Sequence, residues 1–246
     1  FKVIEIFPDD EFLSFLPLSH AFERTVGYYL PMAAGSAVSY ARSIPQLAED
    51  LVRIRPTVLI SVPRIFERVY AKIQAKLEQD PAVARTLFGL AVNVGWHNFE
   101  HRQGRIGWSP SLLLWPLLEK LVAAKVQAKL GGHLRVAVSG GAPLSVEVAK
   151  LFLGLGVPLI QGYGLTETSP IVTGNSLENN VPDSIGMALP GVEVRIGDND
   201  ELLTRSPSVM LGYWNNPEAT RNTIDADGWL HTGDRARKQG DHYFIT

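Results

Sequence analysis

Cysteine is absent from this chain of 246 residues. That excludes a disulfide framework, a thiolate metal site and a cysteine nucleophile, and it fits a reducing compartment. A surplus of base is lacking too. Lys and Arg number 23 against 25 Asp and Glu, a net charge of −2, so nothing points to a nucleic-acid partner. No apolar run approaches the roughly 18 residues that span a bilayer. The longest candidate, Leu112-Leu-Leu-Trp-Pro-Leu-Leu118, is short and broken by proline. Two common phosphate-binding signatures are missing as well. Ser139-Gly-Gly-Ala-Pro143 lacks the Gly-Lys-Ser/Thr ending of a Walker loop. Gly162-Tyr-Gly164 is followed by Glu167 where the dinucleotide fingerprint needs glycine.

What the chain does have is apolar content for a substantial core, 46% hydrophobic against 20% charged residues. Phe12-Leu-Ser-Phe-Leu16 reads as a strand closed by Pro17, followed by a loop with His20 and a helix carrying Glu23, Arg24 and Tyr28. Ile44 to Ile54 has helical spacing, with Leu47, Leu51 and Ile54 on one face, and Pro56 stops it. Thr57 to Val62 is the β-branched run of a buried parallel strand, and Arg64 to Leu77 is a helix. Leu134 to Val138 is the next strand, Val146 to Leu155 a helix stopped by Gly156, and Val157 to Ile160 another strand. Residues 78 to 130 are mostly helical, with Trp96, Trp108 and Trp115 expected in a helical core. This alternation predicts an α/β fold, a mostly parallel sheet with helices on both faces, over residues 1–184, with a helical insert at about 70–130. The grammar changes over 185–246. Val192 to Ile196 and Glu201 to Arg205 flank a tight turn, and Trp229 to Asp234 and His242 to Thr246 flank Lys238-Gln-Gly-Asp241. That predicts a small antiparallel, barrel-like β subdomain. The chain starts at Phe1 and stops inside a strand pattern at Thr246, so a fragment of a longer protein is expected.

Four loops fall after the carboxyl ends of strands, where open α/β sheets bind ligands. They are the His20 loop, the Pro63-Arg64 turn, Ser139 to Pro143, and Gln161 to Thr168. Gln161-Gly-Tyr-Gly-Leu-Thr-Glu-Thr168 supplies a flexible turn, an aromatic face, hydroxyls and a carboxylate suited to a hard cation. The same eight residues also fit a plain strand-to-helix turn with Thr166 or Thr168 as cap. The two glycines after Ser139 let backbone N–H groups approach a ligand, or serve a turn that needs positive φ. His20 suits either a carboxylate-gating role or a satisfied loop histidine. His97 and His101 have zinc spacing but no acidic or cysteine partner, and read as a solvated face. Asp234 suits a ribose diol, or an ordinary turn.

In combination these residues resemble the adenylate-forming (AMP-binding) superfamily. The motifs that carry the resemblance are Leu16-Pro-Leu-Ser-His20, Ser139 to Pro143, Gln161 to Glu167, Pro207-Ser-Val-Met-Leu-Gly-Tyr-Trp214 and Trp229-Leu-His-Thr-Gly-Asp234, in that order. Ser19-His-Ala-Phe-Glu-Arg24 and Ser61-Val-Pro-Arg-Ile-Phe-Glu-Arg68 are similar to long-chain fatty acyl-CoA synthetases. The resemblance implies a ligase that makes acyl-AMP from a fatty acid and ATP with Mg²⁺, then a thioester with coenzyme A. Carried across, Ser139, Gly140, Gly141, Ala142 and Pro143 would line the adenylate pocket, with Gln161, Gly162, Tyr163, Gly164 and Leu165 beside it. Tyr163 would lie against adenine, Thr166 would hold a phosphate oxygen, Glu167 would ligate Mg²⁺, and Asp234 would bind the ribose. His20, with Thr166 and Glu167, would complete the catalytic set. The resemblance places the family's phosphate loop before Phe1 and its lysine-bearing domain after Thr246, so the fragment alone is expected to be inactive. Asp200-Glu201 and Ser206 depart from the family's pattern, away from the chemistry. A fatty-acyl-AMP ligase, an amino-acid adenylation domain and a non-catalytic acyl-adenylate-binding module are the alternatives. The expected setting is the cytoplasm, with peripheral membrane contact left open.

Overall fold

A computed structural model describes residues 4–246. In chain order the elements are β1 (Glu11–Ser14), a π-helical segment (Glu23–Tyr29) running into α1 (Leu30–Ala34), β2 (Ala37–Tyr40), α2 (Leu47–Ile54), β3 (Val58–Ser61), α3 (Pro63–Gln79) and α4 (Ala82–Arg102). A 3-10 turn (Pro110–Leu114), α5 (Trp115–Leu118), a second π segment (Glu119–Ala123) and α6 (Ala124–Lys129) follow. Then come β4 (Val136–Ser139), α7 (Val146–Gly154), β5 (Leu159–Gly164), a 3-10 turn (Thr166–Thr168), β6 (Ile171–Gly174) and β7 (Met187–Ala188). The chain closes with β8 (Glu193–Ile196), β9 (Glu201–Arg205), α8 (Pro217–Thr223), β10 (Leu230–Gln239) and β11 (His242–Ile245).

Seven strands form one sheet in the order β2-β1-β3-β4-β5-β6-β7. The first five run parallel, and β6 and β7 add antiparallel at one edge. A second, fully antiparallel sheet has the order β11-β10-β9-β8. The expected α/β fold with an added antiparallel sheet is what the chain adopts. β3 and β4 are buried on both faces, which is why they read as unbroken apolar runs. Their side chains alternate. Leu59 and Ala137 join Phe66 of α3 and Phe152 of α7 on one face, where the two rings meet edge-on at 5.3 Å. Val58, Ile60, Val136 and Val138 join Phe12, Phe22 and Val26 on the other. Ser145 caps α7 by accepting the Val148 N–H at 3.3 Å. α4 crosses α7 at glycine. A Cβ on Gly95 would stand 1.8 Å from the Gly154 carbonyl oxygen, so this crossing fixes the long helices against the sheet.

Several elements differ from the sequence expectation. β2 has no apolar run because it is an edge strand of four half-exposed residues. Gln161 to Gly164 is strand, not turn. It belongs to β5, and β6 pairs against it. Its glycines therefore serve close backbone approach. A Cβ on Gly164 would lie 1.7 Å from the Pro170 carbonyl oxygen. The reversal lies further on, at Thr166–Thr168, with Ser169 at φ 55°. Trp96 and Trp115 pack on the core as expected, but Trp108 is 61% exposed. The last hairpin turns at Gly240-Asp241, because β10 extends to Gln239.

Candidate active site

The carboxyl edge of the large sheet holds a cavity of about 930 Å³. One wall is helical. Phe22, Thr25, Val26, Tyr29, Leu30 and Ala33 come from the segment after His20, and Ile171 and Leu189 extend the apolar surface. The other wall is backbone and polar side chain, from Gly140 and Gly141 after β4 and from Gln161 through Glu167. His20 stands at the cavity too, its Nδ1 accepting the Phe22 N–H at 3.2 Å, so it also steadies the start of the helical wall. The two walls touch where Phe22 meets Gly140. A Cβ on Gly140 would lie 2.8 Å from the Phe22 ring, so glycine is the residue that lets the ring close over the loop. Gly141 has φ 80°, the left-handed conformation that glycine adopts without strain.

The polar wall is held by specific bonds. Thr168, fully buried, donates to the Pro170 carbonyl at 2.7 Å and accepts the Leu165 N–H at 3.0 Å, which locks the turn that presents Thr166 and Glu167. Glu167 Oε1 accepts the Tyr213 hydroxyl at 2.9 Å, and its carbonyl accepts the Met210 N–H at 2.8 Å. The bond to Glu167 pushes the Tyr213 hydroxyl above its ordinary pKa. Tyr163 donates to Asp234 Oδ2 at 2.5 Å. Burial first, and then this bond to a carboxylate, pushes the Tyr163 hydroxyl far above the ordinary tyrosine range, so it stays a donor. Gln161 is spent internally. Its Oε1 accepts the Leu144 N–H at 3.4 Å and its Nε2 donates to the Pro182 carbonyl.

The structure thus brings His20, Gly140, Gly141, Gln161, Gly162, Tyr163, Gly164, Leu165, Thr166 and Glu167 around one cavity. It does not place every sequence candidate there. Ser139 is fully buried, its hydroxyl without a partner, and is not part of the cavity wall. Ala142 and Pro143 turn away from it, onto a separate groove against α3. Asp234 lies one bond behind Tyr163 rather than on the wall. Sequence reasoning missed Tyr213, whose motif was visible but whose pairing with Glu167 spans 46 positions. It also missed the lining role of Phe22, Val26 and Tyr29, whose helical spacing is its only local signal.

Among the described residues no cluster of three His, Asp or Glu side chains could hold a metal. Glu167, with the exposed Thr166 hydroxyl beside it, offers a single carboxylate. That fits Mg²⁺, which takes most of its ligands from substrate phosphates and water.

A family model described as "AMP-binding enzyme" matches residues 2–214. The chain belongs to the AMP-binding enzyme family. It is 34% identical to "Long chain acyl-CoA synthetase 7, peroxisomal" of Arabidopsis thaliana, over 94% of this chain and 34% of that protein. It is 33% identical to "Long-chain-fatty-acid--[acyl-carrier-protein] ligase AEE15, chloroplastic" of the same plant, over 92% of this chain and 36% of that one. The chain therefore spans about a third of the length of these relatives. Apo MatB from Rhodopseudomonas palustris shares the fold, with a TM-score of 0.67 at 24% identity over 97% of this chain and 40% of that structure. No described helix is long and apolar enough to cross a membrane.

Proposed function

We propose that the full-length protein activates a long-chain fatty acid with ATP as acyl-AMP and passes the acyl group to coenzyme A. The carrying observation is the single cavity that joins a polar wall, Gly140 and Gly141 with Tyr163 to Glu167, to an apolar helical wall. At about 930 Å³ it lies at the upper end of the roughly 300–1,000 Å³ usual for small-molecule sites. One end suits a nucleotide and the other a hydrocarbon chain. In the first step a carboxylate oxygen attacks the α-phosphorus of ATP, and the bond to pyrophosphate breaks. In the second the thiol sulfur attacks the acyl carbon, and the carbon–oxygen bond to AMP breaks.

Each residue has a role the physics supports. Backbone N–H groups of the Gly140-Gly141 loop approach the adenylate because no Cβ intervenes. The Tyr163 ring offers a stacking face for adenine, while its hydroxyl fixes Asp234 for the ribose diol. Thr166 donates to a phosphate oxygen and His20 attends the carboxylate. Mg²⁺, held through Glu167, would supply charge neutralisation at the phosphates. Pre-aimed donors matter here because two anions must meet. Palmitate-dependent ATP–pyrophosphate exchange by the full-length protein, followed by a CoA thioester assay, tests the reading. Exchange and thioester are both expected. No exchange with any fatty acid from folded protein overturns it.

A further inference from the structure

Glu23 is fully buried, and nothing in the activation chemistry above uses it. It opens the π-helical segment that gives Thr25, Val26 and Tyr29 to the cavity, but its own side chain lies outside the cavity wall. Its Oε1 accepts the hydroxyl of Ser14, the last residue of β1, at 2.5 Å, and its Oε2 has no partner. Among the described residues it takes part in no ion pair. Burial pushes its carboxyl above the usual range, against the pull of the Ser14 bond. Burying a carboxyl in this way costs stability that an apolar side chain of similar volume would not. What the carboxyl adds is a directed bond and a fixed shape.

The seat of that carboxyl is equally specific. Gly27 lies four residues further on, and a Cβ on it would point back toward the start of the helix. It would stand 2.5 Å from Glu23 Oε1, 2.6 Å from Cδ and 2.8 Å from Oε2. The carboxyl thus rests on a position that glycine leaves open, wedged between the segment and Ser14. The strand order puts this wedge on one flank. Ser14 belongs to β1, and β3 separates it from β4, β5 and β6, which carry Val138, Ile160 to Gly164 and Ile171 on the cavity's sheet side. Glu23 therefore fills the space between β1 and the segment, on the flank away from the cavity. Shortening it lets the segment settle toward β1 and widens the cavity. Adding bulk at Gly27 drives the segment the other way. We propose that Glu23 is a positioning residue for acyl selection, its side chain setting, between Ser14 and Gly27, how far the apolar wall stands into the cavity. The inference rests on the activation reading above.

The test compares palmitate with phytanate, a methyl-branched acid of the same backbone length, in pyrophosphate exchange by the full-length protein. In Glu23→Ala the kcat/KM ratio of phytanate to palmitate should rise about tenfold, the low end of what one methylene of fit changes in an apolar pocket. The KM for ATP should stay within about twofold of wild type, since the polar wall is untouched. Glu23→Gln keeps the shape and the acceptor for Ser14, and should hold the ratio near the wild-type value. Ser14→Ala should raise the ratio by less. Gly27→Ala should lower it, and that effect should vanish in the Glu23→Ala background, where the atoms it strikes are gone. A residue that only stabilises the fold would lower Tm and leave the ratio alone. A ratio in Glu23→Ala within about twofold of wild type, well short of one methylene's worth, overturns the proposal. So does a Gln variant that shifts as far as the Ala variant, or a raised KM for ATP with the ratio unmoved. Should Glu23→Ala not fold, Ser14→Ala and Gly27→Ala carry the same readout, and shifts in one direction, or none, overturn the proposal. Failure of wild-type exchange with any fatty acid would instead sink the activation reading. Calorimetric titration of both acids into wild type and Ser14→Ala would then decide the role of the wedge, with an unchanged affinity ratio, or no binding of either acid, counting against it.

Discussion

Gly162 and Gly164 sit two residues apart on β5, and the structure assigns them different tolerances. A Cβ at Gly164 would stand 1.7 Å from the Pro170 carbonyl oxygen, 2.7 Å from its carbonyl carbon and 2.8 Å from the Ile171 Cα. All three are backbone, so no rotamer relieves the overlap and the β5–β6 pairing must open. Overpacking commonly costs about 1–3 kcal/mol where side chains give way. With only backbone to move, Gly164→Ala should cost about 3 kcal/mol or more. For a domain of this size that lowers Tm by about 6–12 °C. At Gly162 the nearest atom is the Thr173 carbonyl oxygen at 3.0 Å. A shift of a few tenths of an ångström suffices, and alanine regains about 0.5–1 kcal/mol of backbone entropy. Gly162→Ala should therefore stay within about 1 kcal/mol of wild type. Thermal unfolding of both variants of the full-length protein, with pyrophosphate exchange alongside, reads the contrast. A Gly164→Ala protein melting within 2 °C of wild type (about the smallest shift one kcal/mol would give) would refute the reasoning, because it would mean that β6 does not lie where the structure puts it.

Glu167→Ala should abolish most pyrophosphate exchange with little change in Tm, and retained exchange would count against its role at the metal. Tyr213→Phe should lower exchange by about 2- to 10-fold, since it removes one hydrogen bond of about 0.5–1.5 kcal/mol from that carboxylate. Tyr163→Phe should raise the KM for ATP by a similar factor, because Asp234 loses the donor that orients it. Arg135 and Asp10 set an acid limit. Burial alone would raise the Asp10 carboxyl, but Arg135, the Phe7 N–H and the Thr57 hydroxyl together hold it below the usual range. A depressed carboxyl contributes stability above its unfolded value, about 3.9, that is lost as pH falls through the lowered folded one. Arg135→Gln should cost about 1–3 kcal/mol at neutral pH and move the acid limb of a Tm-against-pH curve to higher pH; an unmoved limb would discard the assignment.

How much of this was legible depended on burial and on distance along the chain. β3 and β4 were plain because both faces are covered, and full burial leaves only β-branched and aliphatic side chains in the sequence. β2 was not, because an edge strand of four half-exposed residues, Ala37 to Tyr40, carries no such run. The length of β5 is hidden in the sequence for a physical reason. Glycine in a sequence signals either positive φ or close approach, and the two look alike until the neighbouring strand is in place. The helix after His20 is legible, but spacing does not show that Glu23 to Tyr29 winds as a π-helical segment. In the site, spacing placed residues in the right neighbourhood but not their directions. Ser139 is sealed under the loop, and Ala142 and Pro143 face the separate groove against α3.

The bonds that hold the polar wall cross between the two sheets, and this bears on how the site works. Tyr163 on β5 is tied to Asp234 on β10. Glu167 takes one hydrogen bond from the Met210 backbone and another from Tyr213, both in the segment that follows β9. The backbones of Ile185 and Gly186, just before β7, exchange hydrogen bonds with Tyr243 of β11, each at 2.9 Å. The large sheet thus presents the ring, the hydroxyl and the carboxylate, while the small sheet and its connections supply the partners that fix their orientation. Loosening the small sheet should therefore affect nucleotide handling before it affects the apolar wall, which is built from Phe22, Val26 and Tyr29 on the opposite side. A substitution that frays β10 from β9, away from every cavity-lining residue, should raise the KM for ATP while leaving the preference among acyl chains unchanged. Steady-state kinetics with two fatty acids of different length check this, and a shift in the ratio of their kcat/KM values alongside the raised KM for ATP would show that the two walls are not separable in this way.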